Sequence, residues 1–277
     1  MKQARKTTSL YEKMLPYIYD GVGVVNRWWP RLNWQTSKMV MCYHSVANSG
    51  WRFSTPVRDF ERQVDYLQQR FEIVGLSKLL ESKQDGLVSL TFDDGYEDVY
   101  KNALPILQQR GLVATVFVTG GETKVDRNEL DNDLPLMNLK QVKKLHSQGW
   151  EVGFHTSGHK DMRKLGISKL RKEIVIGKAE LEKKLGFELK YFAYPRGFYS
   201  DQVVKLVEQA GFETAFTVDN KVAGSDNKFL VGRVSMEGRL NLKHFRVCVS
   251  RVGIKVNEIL FGLLKTKEAW LNQLAKV

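Results

Sequence analysis

Short apolar runs alternate with longer amphipathic segments through the middle of this sequence, and no other feature constrains the fold as strongly. The amphipathic segments carry apolar residues at helical spacing, and several end at glycine, a usual stop signal. Helices are predicted at Val57–Arg70, Glu97–Arg110, Asn138–Gln148, Ile167–Leu185 and Asp201–Ala210. Strands are predicted at Met39–Val46, Phe71–Leu76, Leu87–Asp94, Val113–Thr119, Trp150–His155, Tyr191–Pro195, Thr214–Val218 and Phe229–Met236. The alternation indicates an α/β protein with a mostly parallel sheet or barrel.

The two ends of the chain differ from this central pattern. Residues 1–36 hold three tryptophans, Trp28, Trp29 and Trp34, close to arginines, and the tail from Lys255 has apolar residues along one helix-like face. We therefore expect an N-terminal extension at 1–37, a central domain at 38–240 and a helical C-terminal extension at 241–277.

The charge of the chain is strongly basic, at +12 from 43 basic and 31 acidic residues. Such a balance favours an anionic partner, which can be a membrane surface, a nucleic acid or an acidic glycan. Nucleic acid is not expected, because the chain has neither zinc-finger spacing nor an RNP-like aromatic strand. The two cysteines, Cys42 and Cys248, exclude a disulfide framework and are predicted to be reduced, partly buried thiols.

The sequence also bears on membranes and location. No segment offers about 18 uninterrupted apolar residues, so a transmembrane helix is not expected. The basic N-terminus is followed by a stretch that Glu12, Lys13 and Asp20 interrupt, which argues against a signal peptide and favours a cytoplasmic location. Tryptophan beside arginine, with an amphipathic tail, suggests peripheral contact with an anionic membrane. The alternative is that both extensions pack on the central domain.

Two adjacent carboxylates, Asp93 and Asp94, follow the apolar run Leu87–Leu90 and precede Gly95. In parallel α/β folds the active residues lie at the C-terminal ends of strands. Neighbouring side chains at a strand end point in different directions, which suits two distinct roles around one centre. The alternative is a solvated turn in which an aspartate caps the next helix.

Two histidines four residues apart, His155 and His159, follow another apolar run. They would lie on one face if the segment formed a helical turn. Imidazole suits zinc and similar divalent ions, although the pair could also lie on the surface. Together the two motifs can supply one carboxylate and two imidazoles, a triad that leaves coordination positions open for water and substrate.

These motifs resemble those of the polysaccharide deacetylases, carbohydrate esterase family 4. Thr91–Gly95 and His155–His159 are similar to the first two signature motifs, and Tyr191–Gly197 resembles the third. One branch of the family also opens with a Tyr-His motif, which here is Tyr43-His44. The resemblance covers residues 38–236 and implies a distorted (β/α) barrel with fewer than eight strands.

The resemblance also implies roles for individual residues. Asp94, His155 and His159 would hold a divalent metal, with zinc expected, and Asp93 would be the general base. The third motif would supply substrate contacts through Tyr194 and Arg196, with a backbone N–H near Arg196 helping to stabilise the oxyanion.

The sequence departs from the family pattern at three places. Ala193 stands where many members have the arginine that steadies the catalytic aspartate, and Arg196 replaces the usual aromatic residue. The late Leu-x-His motif, which often supplies the general acid, is missing near Leu230–Val234. These departures allow an alternative function, a catalytically weakened protein that binds sugar.

Two residues can compensate for these departures. His44 ends a predicted strand and would serve as the general acid, as in relatives with a similar Tyr-His opening, unless it is a packed core histidine. Arg233 would pair with Asp93, unless it forms a surface ion pair. His146 and His244 lie in polar, helix-like surroundings and are predicted to be surface residues.

The function expected from the resemblance is hydrolysis of an N-acetyl group on an amino sugar in a glycan or glycan precursor. Two alternatives remain open besides the sugar-binding protein. The same site would serve for O-deacetylation, or for hydrolysis of another non-peptide amide.

Overall fold

The computed structural model describes residues 17–24, 37–120, 130, 134–223, 226–238, 240–260 and 262. The chain divides into two compact units. One is the central unit, Thr36–Arg239, and the other is the terminal unit, which combines Met1–Gln35 with Leu240–Val277. These boundaries lie one or two residues before the predicted ones, and the two ends, predicted as separate extensions, belong to one unit.

The central unit contains ten short strands, within the described residues. They are β1 Met39–Tyr43, β2 Ser45–Val46, β3 Ser54–Thr55, β4 Glu72–Ile73, β5 Leu87–Phe92, β6 Thr115–Val118, β7 Glu151–Phe154, β8 Tyr191–Ala193, β9 Thr214–Phe216 and β10 Val234–Ser235. All eight predicted strands are present, although most are shorter than the apolar run that indicated them.

The main sheet is parallel throughout and follows the order β10-β1-β5-β6-β7-β8-β9, with β4 added beside the start of β5. A further parallel bridge joins Phe216 in β9 to Val231, just before β10, so the sheet curls round towards its own first edge. This confirms the distorted (β/α) barrel, since seven strands follow its path. The C-terminal ends of these strands meet at one end of the barrel.

The helices of the central unit confirm the predicted amphipathic segments. They are α1 Val57–Gln68, α2 Leu76–Glu81, α3 Leu104–Gln108, α4 Leu139–Ser147, α5 Ile167–Arg171, α6 Gly177–Leu185 and α7 Asp201–Gln209. Local sequence explains several of their ends: Asn138 and Gln141 form a capping box before α4, and Gly186 ends α6 with a left-handed φ of 85°.

Two long helical segments are interrupted by a π-helical turn. One turn, Val99–Ala103, precedes α3, and the other, Lys172–Ile176, joins α5 to α6. Single 3₁₀ turns occur at Met162–Lys164 and Pro195–Gly197. The predicted helix Ile167–Leu185 is therefore present, but its hydrogen-bond register shifts in the middle.

The predicted strand Phe71–Leu76 was wrong at its C-terminal end. Leu76 begins α2, a helix that the sequence analysis missed. The cause is a long-range contact, because the Glu151 carboxylate accepts hydrogen bonds from the backbone N–H groups of Leu76 and Ser77 at 2.7 and 2.8 Å. A carboxylate from β7 thus caps α2, which satisfies N–H groups that a helix start leaves without partners.

The core lies inside the barrel and between the sheet and its helices. Strands β1 and β5 are buried along their whole length, as expected for a parallel sheet covered on both faces. Phe117 and Phe216 meet inside the barrel with ring centroids 5.6 Å apart, and Trp150 stacks on Phe92 outside it. Each such side chain stabilises the fold by about 1.5–3 kcal/mol through burial.

The terminal unit is helical where it is described, at 17–24, Leu242–Cys248 and 251–260. Tyr19 joins these helices, because its hydroxyl donates to Asn257 at 2.9 Å and accepts from the Cys248 thiol at 2.9 Å. His244 was predicted to lie on the surface, but it is buried beside the Tyr19 ring. Trp28, Trp29 and Trp34, and the apolar tail beyond residue 262, lie outside the described residues. None of the helices described is both long and apolar enough to span a bilayer.

Candidate active site

The two adjacent aspartates after β5 point to different partners. Strand alternation puts Asp93 on the same face as Thr91, towards the inside of the barrel. Asp94 would follow Phe92 to the opposite face, but its left-handed φ of 68° breaks the alternation. Asp93 therefore meets Arg233, and Asp94 meets two histidines.

Asp94, His155 and His159 form a compact, buried cluster. Asp94 Oδ1 lies 3.4 Å from Nε2 of each histidine, and all three side chains are nearly inaccessible to solvent. Their ligand atoms lie within 4.8 Å of one another. Oδ1 of Asp94 has no hydrogen-bond partner among the described residues. A buried carboxylate oxygen without a donor, facing two imidazoles, fits a divalent cation, and the ligand types are those of catalytic zinc sites.

The loop that carries the two histidines is not the helical turn that the spacing suggested. Thr156 and His159 have left-handed φ values of 64° and 53°. With this backbone, the ring centroids of His155 and His159 lie 5.0 Å apart. Among the described residues, four of the five non-glycine residues with positive φ belong to the three motifs: Asp94, Thr156, His159 and Arg196. Such backbone costs of order 1–3 kcal/mol each and concentrates at functional sites.

His155 is held in the tautomer that a metal ligand needs. Its Nδ1–H donates to the Ala193 carbonyl oxygen at 2.8 Å, so Nε2 faces Asp94 with a lone pair. Burial lowers the pKa of His155 to about 3, which keeps the ring neutral. Burial also raises the pKa of Asp94 to about 6.

Arg233 holds Asp93 through both of its carboxylate oxygens. Nη1 donates to Oδ1 and Nη2 to Oδ2, each at 2.7 Å, and Arg233 is fully buried. Arg233 also donates to the Thr217 carbonyl oxygen and the Thr91 hydroxyl, so its position is fixed on several sides. Burial alone would raise the pKa of Asp93, but the charge of Arg233 holds that pKa well below its usual range. The expected pair is therefore present, and it is not a surface contact.

His44 lies directly after β1, at the same end of the barrel as the aspartates. Its ring packs against Phe53 and Trp51, with centroids 4.9 and 5.9 Å away. A ring nitrogen of His44 lies within 4.8 Å of an Asp93 carboxylate oxygen. Its Nδ1 is buried and makes no hydrogen bond within the described part of the chain. Burial lowers the pKa of His44, while the charges of Asp94 and Asp93 raise it.

The two residues expected to contact the substrate differ in their surroundings. Arg196 is exposed after β8, and its charge acts to lower the pKa of Asp94. Tyr194, in contrast, is fully buried, and its hydroxyl donates to the Phe229 carbonyl oxygen at 3.0 Å. The expectation for Tyr194 needs correction, because its hydroxyl is occupied and its ring shapes the end of β8.

Comparison with known proteins finds a family resemblance at the same residues. The sequence profile for polysaccharide deacetylases matches residues 81–215, a span that contains both aspartates, both metal-facing histidines and the third motif. Over that span the chain resembles the polysaccharide deacetylases.

Individual members of the family are moderately similar to this chain. A poly-beta-1,6-N-acetyl-D-glucosamine N-deacetylase of Staphylococcus aureus is 29% identical over 231 residues, which cover 72% of this chain and 79% of that protein. The Bacillus subtilis protein YxkH is 25% identical over 194 residues, which cover 68% of this chain and 66% of that protein.

Solved structures of deacetylases share the fold. IcaB from Ammonifex degensii has a TM-score of 0.67 at 27% identity, over 78% of this chain and 97% of that one. The Streptococcus pyogenes deacetylase PplD in complex with acetate has a TM-score of 0.63 at 21% identity, over 75% of this chain and 95% of that one.

One residue beside the site, Cys42, was not among the predicted site residues. Cys42 is fully buried, and its thiol lies 3.4 Å from Asp93 Oδ2. Burial raises the pKa of Cys42 well above its ordinary value, so the thiol stays protonated and can donate. A signal was present, because Cys42 directly precedes the Tyr43-His44 motif and shares its strand face with Thr91 through the β1–β5 register.

A pocket beside Asp94 was also not predicted. Its walls are mostly apolar, and they come from β6 and from the segment around α4 as well as from α6: Gly95, Val118, Thr119, Leu136, Met137, Leu139, Val142 and Leu181. These residues are far apart in sequence, and the pattern around each one is that of an ordinary core residue.

Proposed function

We propose that this chain is a metal-dependent deacetylase that removes N-acetyl groups from an amino sugar in a glycan or a glycan precursor. The observation that carries the proposal is the buried Asp94–His155–His159 cluster, with a carboxylate oxygen that lacks a donor, next to an aspartate held by arginine. The Staphylococcus aureus relative, named for N-deacetylation of a poly-N-acetylglucosamine, supports the same substrate class.

The metal would be held by Asp94, His155 and His159, with zinc favoured by the ligand set. When bound, such an ion supplies Lewis-acid activation of water and of the acetamide carbonyl. The residues around it would move the protons. Asp93 accepts the proton of the attacking water, because Arg233 occupies only one lone pair of each oxygen and keeps the carboxylate ionised.

The departing amine needs a proton, and His44 is placed to give it. His44 lies at the strand end beside the aspartates, and its unpartnered Nδ1 distinguishes it from a satisfied core histidine. The apolar pocket beside Asp94 is suited to the methyl group of an acetyl substituent. Arg196, which is exposed and follows β8, would contact the sugar or its neighbours.

Two contacts in the structure argue against the alternative of a catalytically weakened, sugar-binding protein. That alternative arose because the family arginine is replaced by Ala193 and the late histidine motif is missing. Arg233 now supplies a guanidinium to Asp93, and the Ala193 carbonyl oxygen orients His155. These contacts favour a working enzyme, although they do not separate N- from O-deacetylation.

Acetate release from a panel of acetylated sugars tests the proposal. The panel pairs N-acetylated amino sugars and their oligomers with O-acetylated sugars of matching size, each with and without a chelator. We expect chelator-sensitive acetate release, with one new amine for each acetate, from the N-acetylated members. Metal-loaded protein that binds these sugars but releases no acetate would establish the sugar-binding alternative, and release from O-acetylated members alone would establish O-deacetylation.

We further propose that the terminal unit contacts an anionic membrane surface at the cytoplasmic face. In the part of the chain that the structure describes, three of the five exposed large apolar side chains belong to this small unit: Tyr17, Val24 and Ile259, at 78, 58 and 54% exposure. Arg251, Lys255 and Ile259 share an exposed helix face, and Arg251 adds positive charge there, while Lys255 pairs with Glu258 at 2.8 Å. Apolar side chains among basic ones favour the headgroup region of an anionic bilayer.

Flotation with vesicles tests this contact. We expect binding to vesicles that contain phosphatidylserine and weaker binding to neutral vesicles, and Tyr17→Ser with Ile259→Ser should reduce both. Ile176→Ser, at an exposed position of the central unit, is the matched control. Equal binding with and without anionic lipid would refute the proposal, and cell fractionation would decide the location.

A further inference from the structure

The loop between the two metal-facing histidines is anchored by one residue of the π-helical turn. Ser157 N–H donates to the backbone oxygen of Glu173 at 3.1 Å, and Gly158 N–H donates to its carboxylate Oε2 at 2.7 Å. Two of the three residues between His155 and His159 thus bind Glu173. No local sequence pattern in the loop would have indicated a partner that follows it by 15 residues.

Glu173 is an unusual residue to find at this position. It is only 8% exposed, although carboxylates are seldom buried without a partner. The nearest cation, Lys160, lies 3.8 Å away and is half exposed, which gives weak compensation. The charge is therefore compensated mainly by the backbone N–H of the loop, and a charge-assisted bond of this kind is stronger than a neutral one.

The helix and the loop approach each other closely because of a glycine. A Cβ built on Gly177 would lie 1.9 Å from Ser157 Oγ and 3.0 Å from Phe154 Cζ, so no larger residue fits without movement. Gly177 follows Glu173 by one helical turn. The π turn, the buried glutamate and the glycine are thus all directed at the same loop, and π turns are frequent at functional sites.

We propose that Glu173 is a positioning residue for the metal centre, which sets the conformation of the Ser157–Gly158 segment and thereby the placement of His155 and His159 against Asp94. Thr156 and His159 have left-handed φ values, a conformation that persists only where surrounding contacts enforce it. Glu173 provides two such contacts, and the one through its carboxylate, to Gly158 N–H, is the contact that depends on the side chain. The inference rests on the proposed function, because it assumes that the cluster holds a divalent ion.

Zinc affinity of the refolded, metal-free protein tests the proposal, measured by competition with a chromogenic chelator. We expect Glu173→Ala to bind zinc about 10–100-fold more weakly, the usual effect of removing a residue that orients a ligand. Glu173→Gln should retain most of the affinity, because its amide oxygen can still accept from Gly158 N–H. Glu180→Ala, at an exposed position of α6, is the matched control.

A second pair of variants tests the same loop without changing Glu173. Gly177→Ala should weaken zinc binding because its methyl group displaces Ser157, and adding Ser157→Ala should restore part of the affinity by removing the Oγ atom. This pair decides the question if Glu173→Ala does not fold. Thermal unfolding of the metal-free proteins separates a general loss of stability from a specific loss of zinc affinity.

The outcomes are distinguishable. Wild-type zinc affinity in Glu173→Ala, or in both Gly177 variants, would overturn the positioning role and leave the proposed function intact. Equal losses in Glu173→Gln and Glu173→Ala would also overturn it, because the negative charge would then matter and the hydrogen bond would not. A wild-type protein that binds no zinc or other divalent ion would instead contradict the metal-dependent function itself.

Discussion

Arg233 and Asp93 form a fully buried, two-bond ion pair although they are 140 residues apart in the chain. Arg233 comes from the segment that enters β10, and Asp93 follows β5, two strands away across β1. The guanidinium thus reaches the aspartate from a different strand than Ala193, the position at which the family pattern has its arginine. Four predictions concern this pair and the residues near it, and a fifth concerns the opposite end of the barrel.

Replacing Arg233 by methionine should strongly destabilise the protein. Asp93 would remain buried without its partner, and breaking a buried pair from one side costs about 3–5 kcal/mol. Urea unfolding measures this loss directly. Arg110→Met is the control, since Arg110 pairs with half-exposed Glu61 and Asp65, and surface pairs contribute about 1 kcal/mol or less. Similar losses of unfolding free energy in the two variants would show that the Arg233–Asp93 pair contributes no more to stability than a surface pair.

Asp93→Asn should keep the metal and lose turnover. Asparagine preserves the size of the side chain but cannot accept the proton, and loss of a general base typically costs about 10²–10⁴ in rate. Acetate release and metal content, measured on the same preparation, check both halves of this prediction. If the variant retains near wild-type turnover, Asp93 is not the base.

His155→Ala should lose the bound metal. The purified protein is expected to carry about one divalent ion, and removing one of three protein ligands weakens such a site heavily. Elemental analysis of wild type and variant provides the measurement, with His146→Ala, an exposed histidine, as the control. Equal metal in His155→Ala and wild type would contradict the assignment.

His44→Ala should separate amide from ester substrates. An amine must gain a proton as it leaves, so the variant should lose about 10²–10⁴ in amide turnover while it keeps its metal. An activated acetyl ester has a leaving group that needs no proton, and its hydrolysis should fall much less. Equal losses on both substrates, or no loss on the amide, would show that His44 is not the general acid.

Glu151→Ala should destabilise the barrel without affecting the metal. Glu151 binds two N–H groups at the start of α2 and the Thr115 hydroxyl, all at the N-terminal end of the strands and away from the site. Leaving such donors unsatisfied costs about 1–3 kcal/mol. Urea unfolding checks the loss, and zinc content should match that of wild type. Reduced zinc content in a folded variant would mean that the two ends of the barrel are coupled.

The pattern of apolar residues was enough to predict the strands, most of the helices and a mostly parallel sheet or barrel, whereas the distorted barrel followed from the family resemblance. It was also enough to place Asp93, Asp94, His155 and His44 at strand ends, since these positions follow from where each apolar run stops. The prediction failed where a distant residue decides local structure. Leu76 begins a helix because Glu151 caps it, and Tyr194 is buried because its hydroxyl meets the Phe229 carbonyl oxygen.

The loop from His155 to His159 likewise combines a feature that the sequence predicts with a conformation that distant residues decide. Its two imidazoles were recognised from their spacing, which would place them on one face if the segment formed a helical turn, and the segment does not form one. The observed loop has left-handed residues, which local preference disfavours for non-glycine side chains. Such a conformation needs tertiary contacts to hold it, and here they come from Glu173 and the closely packed Gly177.

By itself, the sequence determined the spacing of apolar residues in each segment, and hence whether it forms a helix or a strand. It also determined the order of the chemical groups along the chain. Both depend on neighbouring residues. The tertiary structure alone decided which groups face one another. Closure of the sheet brings the segment before β10 beside β1 and delivers Arg233 to Asp93, and the left-handed turn at Asp94 directs its carboxylate to the histidines. These contacts depend on backbone geometry between residues far apart in the chain, which no local pattern encodes.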